Sequence, residues 1–115
     1  MIIAFISYPV INLDKAVEFY QKVIGIEPLF HRKDWAEFKM EEQRFALQKV
    51  ETVQVGQNEA VVYFLAKPIE QDIKRLKGFG VKILGSIEIR SYGKFARFQD
   101  PEGNIFGLYE PPVKL

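Results

Sequence analysis

FQDPEGNIFGLYE, residues 98–110, is the segment that decides how the rest of the chain is interpreted. Its centre, DPEGN at residues 100–104, has the composition of a tight turn. Proline sets φ at one central position, the aspartate side chain can bond back to the turn, and glycine accepts a left-handed conformation. Apolar residues alternate with other types on both sides, as they do along strands. The segment predicts a β-hairpin whose three-residue loop ends in a glycine bulge.

Pairing Asp100 with Asn104 fixes the register of this predicted hairpin, and the register assigns side chains to two faces of a sheet. One face is apolar and is predicted to belong to the core. It carries Ala96, Phe98, Phe106 and Leu108. The other face mixes a charge, a phenol and a glycine, so a functional site is sought there. It carries Phe95, Arg97, Ile105, Gly107 and Tyr109.

The composition indicates a globular protein and excludes several classes of function. The 115 residues include 16 basic and 15 acidic ones, with a net charge of +1, and 48% are hydrophobic. No basic patch stands out, so no nucleic-acid partner is expected. The chain has no cysteine, which excludes disulfides, thiol catalysis and cysteine-bound zinc. No apolar run has the length of a membrane span or of a signal peptide, so no membrane partner is expected and the predicted location is cytoplasmic.

The first half of the chain has the pattern of a strand, a helix and three further strands. Pro9 is predicted to end the first strand, and Asn12 and Gly25 are suitable boundary residues for the helix. Apolar residues recur with helical spacing at Leu13, Ala16, Val17, Tyr20, Val23 and Ile24. The predicted strands are residues 2–8, 28–32, 35–40 and 44–50, followed by a connector at 51–58.

The second half repeats this order. A strong strand at residues 59–66 precedes Pro68, which suits the first turn of a helix, and Gly78 and Gly80 are predicted to end that helix. Its apolar stripe is Ile69, Ile73 and Leu76. Further strands are predicted around residues 81–84, 87–89, 94–99 and 104–110.

The two halves match each other at a fixed offset. Val17 corresponds to Ile73 and Tyr20 to Leu76, both 56 positions apart. This indicates an internal duplication. The predicted fold is therefore α+β, a single domain over residues 1–115 made of two βαβββ repeats, 1–55 and 56–115. The repeats are expected to form a curved mixed sheet with helices outside and a central cleft.

Three segments give the chain a resemblance to a known family. NLDKAVEFY at residues 12–20, VIG at residues 23–25 and the hairpin at residues 98–110 resemble the vicinal oxygen chelate superfamily. That group includes glyoxalase I, bleomycin-resistance proteins, extradiol dioxygenases and fosfomycin-resistance enzymes. The resemblance covers essentially the whole chain, and it implies the fold far more specifically than it implies a reaction.

The resemblance also implies where a metal would be held, because enzymes of this family place a histidine on the first strand and a carboxylate on the last strand of each half. These positions fall on Phe5, Ala46, Val61 and Gly107. None of the four side chains can bind a divalent metal. Two other side chains could bind a metal, namely the only histidine, His31, and Glu110, which follows the expected position at Gly107 by three residues. They are not expected to form a metal-binding cluster together. No cofactor is therefore expected, and the chain is interpreted as not clearly an enzyme.

Strand alternation predicts which side chains line the cleft. The predicted ligand-binding residues are Phe5, Ser7, Gln48, Tyr63, Phe95, Arg97 and Tyr109. They form an apolar, aromatic surface with a few polar groups, in which Arg97 suits a carboxylate or a phosphate. Gly107 either leaves room for the ligand or is small because Arg97 crosses over it. The aromatic residues equally suit simple core packing, and Arg97 equally suits a position at the rim.

These observations predict a metal-free homodimer that binds a small organic molecule in an apolar aromatic cleft, as bleomycin-resistance proteins do. Two alternatives stay open. The first is a glyoxalase-like metal-dependent lyase, isomerase or dioxygenase. The second is a protein-interaction module with a closed cleft.

Overall fold

The structure, a computed structural model, describes residues 3–52 and 61–113. The chain divides into two compact units, residues 1–56 (unit 1) and 57–115 (unit 2). Unit 1 contains β1 (Ile6–Val10), α1 (Leu13–Ile24), β2 (Phe30–His31), β3 (Trp35–Met40) and β4 (Gln43–Lys49). Unit 2 contains β5 (Val62–Leu65), α2 (Ile69–Gly78), β6 (Lys82–Arg90), β7 (Gly93–Gln99) and β8 (Ile105–Glu110).

The two units have the same topology. Their sheets have the strand orders β1-β4-β3-β2 and β5-β8-β7-β6, and in each the first pair is parallel and the other two pairs are antiparallel. The predicted fold of two tandem βαβββ units with mixed sheets is therefore confirmed. The boundary predicted at residues 55 and 56 lies outside the described residues and stays a prediction.

The shared topology gives each unit one row of three residues side by side across its central strands. In unit 1 this row is Ser7 on β1, Ala46 on β4 and Glu37 on β3. In unit 2 it is Tyr63 on β5, Gly107 on β8 and Arg97 on β7. We call these the central rows of units 1 and 2.

Each helix packs on the sheet face opposite its central row. In unit 1, Tyr20 of α1 meets Tyr8 and Phe45 edge-on, with ring centroids 6.3 Å and 5.1 Å away. In unit 2, the rings of Phe98 and Phe106 stack with centroids 5.6 Å apart. The core face predicted for the hairpin, Ala96, Phe98, Phe106 and Leu108, is buried. The amphipathic patterns thus direct both helices onto these apolar faces.

The predicted boundaries of α1 are confirmed. The Asn12 side chain accepts a hydrogen bond from the Lys15 amide at 3.1 Å. Gly25 adopts φ 84°, and its N–H donates to the Gln21 carbonyl at 2.9 Å. A left-handed residue of this kind favours glycine because it lacks a Cβ.

Helix α2 begins differently. Pro68 stands at its N-cap, where it supplies no side-chain acceptor. The Ile69 amide instead donates to Glu110 Oε1, 41 positions later in β8, at 2.8 Å. Lys94 Nζ lies 3.9 Å from Glu110 and 3.0 Å from Glu70 in the first turn of α2. The start of α2 is therefore fixed by strands of its own sheet.

The predicted hairpin is confirmed in detail. Asp100 N–H donates to the Asn104 carbonyl at 2.8 Å, and Gly103 adopts φ 89°. Asp100 Oδ1 accepts from the amides of Glu102 and Asn104, each at 2.9 Å. These bonds satisfy the buried side chain of Asp100 within the turn itself. The hairpin register places Phe98 opposite Phe106 and Arg97 opposite Gly107, as predicted.

Strands β1 and β6 differ from their predictions. Strand β1 begins at Ile6 and continues through Pro9, which was predicted to end it. Among the described residues it is an edge strand of its four-stranded sheet, a position where proline is tolerated. The runs at 81–84 and 87–89 form one strand, β6, with an irregularity between Leu84 and Glu88. The predicted connector at 51–58 and the strand start at 59–60 lie wholly or largely outside the described residues.

Among the described residues, neither helix has the length or apolar character needed to cross a bilayer.

Candidate functional site

The central row of unit 2 is the best-defined part of the candidate site. The Tyr63 ring lies over Gly107, so that a Cβ at position 107 would come within 2.3 Å of Tyr63 Cε1 and 2.8 Å of the Ala96 carbonyl oxygen. Real Cβ atoms do not approach that closely. The space above Gly107 is therefore filled by the Tyr63 ring and is not left open for a ligand, and the Arg97 side chain bonds to that same tyrosine.

Arg97 is held in place by the same tyrosine. Its Nε donates to the Tyr63 hydroxyl at 3.0 Å. This hydrogen bond is the main reason that the pKa of Arg97 is raised, with a smaller electrostatic contribution from Glu88. The guanidinium thus stays charged, and its bond to Tyr63 uses one of five N–H donors. A fixed, charged fork of this kind suits a planar anion.

A cavity of about 200 Å³ opens beside this pair, and all of its lining residues belong to unit 2. Three of the predicted ligand-binding residues line it, namely Tyr63, Phe95 and Arg97. Four lining residues were not predicted as ligand-binding: Leu84, Ser86, Glu88 and Tyr92. We call this cavity the unit 2 pocket.

Aromatic rings build one wall of the unit 2 pocket. Phe95 meets Tyr63 and Tyr92 edge-on, each with centroids 5.5 Å apart. Behind it lies Tyr109, the fourth predicted residue of this unit, with its ring 5.0 Å from that of Phe95. The Tyr109 hydroxyl donates to the Tyr92 carbonyl at 2.8 Å and so anchors the segment before β7. Tyr109 therefore supports the wall without lining the pocket.

The three predicted residues of unit 1 are placed differently. Phe5 precedes β1 and is 46% exposed, and its ring meets Trp35 edge-on at 5.3 Å. Ser7 lies opposite Ala46 in the central row, and Gln48 lies opposite Trp35. They share the sheet face that alternation predicts. Their role in ligand binding stays a prediction.

Glu37 is the residue of unit 1 that sequence reasoning missed. It stands in the central row and is only 8% exposed. Its Oε2 accepts from Trp35 Nε1 at 3.1 Å, and its Oε1 lies 3.7 Å from Arg44 Nη1. Alternation along β3 already places Glu37 on the same face as Trp35, so this signal was present in the sequence.

The donor set does not fit the divalent metal that enzymes with this fold pattern hold. Phe5, Ala46, Val61 and Gly107 carry no ligating side chain, and Tyr63 fills the space at Gly107. Within residues 3–52 and 61–113, no three histidine or carboxylate side chains come together as a metal cluster.

The two side chains considered as substitutes have other partners. His31 Nε2 lies 2.9 Å from Asp14 Oδ1 at the start of α1. The Glu110 carboxylate caps α2. Each therefore has a structural contact of its own, away from any shared metal position.

Structural comparison finds the same fold in proteins of low sequence identity. A fosfomycin resistance protein from Listeria monocytogenes is 17% identical, with a TM-score of 0.80, 98% of this chain covered and 95% of that one. A glyoxalase-related enzyme from Fulvimarina pelagi is 19% identical, with a TM-score of 0.80 and coverages of 96% and 88%. A lactoylglutathione lyase from Agrobacterium tumefaciens is 18% identical, with a TM-score of 0.74 and coverages of 95% and 92%. At these identities the likeness shows the fold alone.

Comparison of sequences gives the family. No curated protein matches the chain. A family model described as Glyoxalase/Bleomycin resistance protein/Dioxygenase superfamily matches residues 2–108, which include both helices and most of the closing hairpin. The chain therefore belongs to the glyoxalase/bleomycin resistance protein/dioxygenase superfamily.

Proposed function

We propose that this protein binds a small aromatic organic anion in the unit 2 pocket and needs no metal ion to do so. The observation that carries the proposal is the charged Arg97, held by Tyr63 at the edge of an aromatic cavity. Small-molecule sites use a few polar groups to orient the ligand against apolar and aromatic side chains, and the unit 2 pocket offers both, with most of its exposed surface polar. The protein is then a binding protein of the bleomycin-resistance type rather than an enzyme.

The size of the pocket limits the ligand. An apolar cavity of about 150 Å³ holds one benzene molecule. The unit 2 pocket, at about 200 Å³, has room for a single ring with a small substituent, and its open side leaves any further part of the ligand in solvent. Phe95 offers an aromatic contact to such a ring, and Arg97 offers a bidentate contact to a carboxylate on it.

The metal-dependent alternative draws no support from the side chains. A lyase, isomerase or dioxygenase of glyoxalase type needs several imidazole or carboxylate ligands around one ion. The four expected positions offer two aliphatic side chains, one phenyl ring and one glycine. Binding through Arg97 requires none of those ligands.

Calorimetry with benzoate, on protein stripped of metals by a chelator, tests the proposal. We expect benzoate to bind the stripped protein and Arg97→Met to weaken binding about 10- to 100-fold, because hydrogen bonds to a charged group contribute about 1.5–3 kcal/mol. Arg75→Met is the matched control, since Arg75 is an exposed arginine on α2 of the same unit and pairs with Asp72. It should leave the affinity unchanged.

Three outcomes would contradict the proposal. Stoichiometric zinc, nickel, manganese or iron that benzoate binding requires would support the metal-dependent alternative. Equal loss in Arg75→Met and Arg97→Met would show that the effect is a general one of charge. Absence of binding by benzoate and by a panel of other single-ring acids would favour the interaction module.

We further propose that the protein acts as a homodimer in the cytoplasm, without a nucleic-acid or membrane partner. Light scattering coupled to gel filtration measures the mass in solution. A mass near twice 13.4 kDa is expected for the dimer.

A further inference from the structure

The irregularity in β6 changes which side chain stands beside the aromatic wall of the unit 2 pocket. Leu84 lies opposite Arg97, and Glu88 lies opposite Phe95. Leu84 and Glu88 are four residues apart on β6, whereas their partners on β7, Arg97 and Phe95, are only two residues apart. Strand β6 therefore contains two extra residues at this point. Gly85, with φ 74°, lies within this bulge.

Two extra residues keep Glu88 on the same face of the sheet but move it along the ladder. In a regular pairing Ser86 would lie opposite Phe95, and Glu88 would lie opposite Gly93. The bulge brings Glu88 two positions closer to Arg97, which is about 7 Å along a strand. Bulges next to binding sites commonly redirect a side chain in this way. The consequence here is that a carboxylate lines the pocket together with a guanidinium.

Glu88 is accessible to a ligand. Its side chain is 60% exposed, and its Oε2 lies 3.3 Å from Arg90 Nη2, whose side chain is 55% exposed. Ion pairs between exposed side chains contribute little, so a ligand cation can replace Arg90 at small cost. Glu88 and Arg97 both line the unit 2 pocket, so one ligand can reach both charges.

We infer that the unit 2 pocket selects single-ring aromatic zwitterions, with Arg97 binding the carboxylate and Glu88 binding an ammonium group at the opposite end of the ring. This rests on the proposed function, since it assigns a second charge to the same ligand. Glu88 on β6 is the diagonal neighbour of Arg97 on β7, a separation of about 7–8 Å. The two substituents of a para-substituted benzene ring span a comparable distance.

The test compares two ligands of nearly the same shape, 4-(aminomethyl)benzoate and 4-methylbenzoate, by calorimetry. Wild-type protein should bind the ammonium compound about two- to fivefold more tightly, the range expected for one exposed ion pair. Glu88→Gln should remove that preference and retain binding of 4-methylbenzoate. Glu42→Gln, at an exposed turn of unit 1, is the matched control and should keep the preference.

A second variant examines the pair that Glu88 makes in the absence of ligand. Arg90→Met removes the competing guanidinium, so it should strengthen binding of 4-(aminomethyl)benzoate about two- to fivefold, again the range of an exposed pair. Binding of 4-methylbenzoate should change less. Loss of the ammonium compound's binding in Arg90→Met would overturn the assignment of Glu88.

The outcomes separate the two proposals. Equal affinity of wild-type protein for both ligands would overturn the selection of zwitterions and leave the proposed function intact. A preference that persists in Glu88→Gln would overturn the role of Glu88. Absence of binding by both ligands would overturn the proposed function together with this inference.

Discussion

The central rows of the two units use one backbone position in opposite ways. Glu37 in unit 1 and Arg97 in unit 2 occupy corresponding places, beside Ala46 and Gly107 respectively. Glu37 is buried and bonded to the indole of Trp35. Arg97 is exposed at a pocket and bonded to a phenol. The repeated topology thus fixes where such a residue stands, and its neighbours decide whether it stabilises the unit or faces a ligand.

The two helices also differ, in the source of their N-caps. Helix α1 receives its cap from Asn12, the residue that directly precedes it. Helix α2 receives its cap from Glu110 on a neighbouring strand. Unit 1 therefore satisfies this helix terminus through local sequence, whereas unit 2 relies on a tertiary contact.

Of the variants that test the difference between the two central rows, Gly107→Ala should lower the free energy of unfolding most. The new Cβ would collide with the Tyr63 ring and with the Ala96 carbonyl oxygen, and the backbone atom cannot rotate away. Overpacking costs about 1–3 kcal/mol, and we expect the upper part of that range in urea denaturation. Benzoate binding should fall as well, because displacement of Tyr63 releases Arg97.

Ala46→Gly, at the corresponding place in unit 1, is the control. It should destabilise by about 0.5–1 kcal/mol, the ordinary cost of glycine in a strand. It should leave benzoate affinity unchanged. Wild-type stability of Gly107→Ala would contradict the contact between Tyr63 and position 107.

Glu37→Leu should have the next largest effect. Removal of the carboxylate leaves the Trp35 indole N–H without its partner, at a cost of about 1–2 kcal/mol in the free energy of unfolding. Glu37→Gln keeps an acceptor oxygen for Trp35 and should recover most of this loss. Arg97→Met, by contrast, should change stability by less than about 0.5 kcal/mol, as exposed substitutions usually do. Equal destabilisation by Glu37→Leu and Arg97→Met would remove the distinction between the central rows.

Loss of either helix cap should cost about 1 kcal/mol, the usual value for an N-cap replaced by alanine. Asn12→Ala and Glu110→Ala test the two caps, and urea denaturation measures the change. Glu110→Gln keeps a carbonyl oxygen for the Ile69 amide and should be less destabilising than Glu110→Ala. Identical losses in both Glu110 variants would mean that its charge matters more than this hydrogen bond.

The smallest effect should come from the Glu70–Lys94 pair that links α2 to β7. The hydrogen bond from Lys94 lowers the pKa of Glu70 below 4.5, and the same bond raises the pKa of Lys94 above 10.5. The stabilisation is therefore fully present between these two pH values. It is lost as the pH falls through the lowered pKa of Glu70, or rises through the raised pKa of Lys94.

Thermal melting of wild-type and Glu70→Gln protein across this pH range measures that contribution. The difference in Tm should be constant near neutral pH and should shrink in acid and in strong base. Because both groups are exposed, high salt should reduce it. A difference that grows below pH 4.5 would contradict the pairing.

The local sequence is sufficient to predict those elements whose stabilising contacts are also local. The hairpin at residues 98–110 contains its own turn bonds, and α1 contains its own apolar stripe and cap. The turn fixes the register between β7 and β8, and the alternation of side chains along each strand then assigns every residue to one of the two sheet faces. The face shared by Phe95, Arg97 and Tyr109 was therefore predictable.

The remaining features depend on contacts between distant residues. No local sequence pattern predicts that the Tyr63 ring lies over Gly107 or that Glu110 caps α2. The bulge in β6 was misread as a gap between two strands, since glycine and serine interrupt a β pattern in either case. The pocket residues Ser86 and Glu88 were missed for that reason.

The two helix caps become available at different times during synthesis of the chain. Its partner amide is 41 positions away, whereas the cap of α1 joins positions three apart. Closing a longer loop costs more chain entropy, and contacts of large sequence separation form slowly. On the ribosome, Asn12 emerges together with α1, whereas Glu110 emerges after α2. Helix α2 thus acquires its cap later than α1 does.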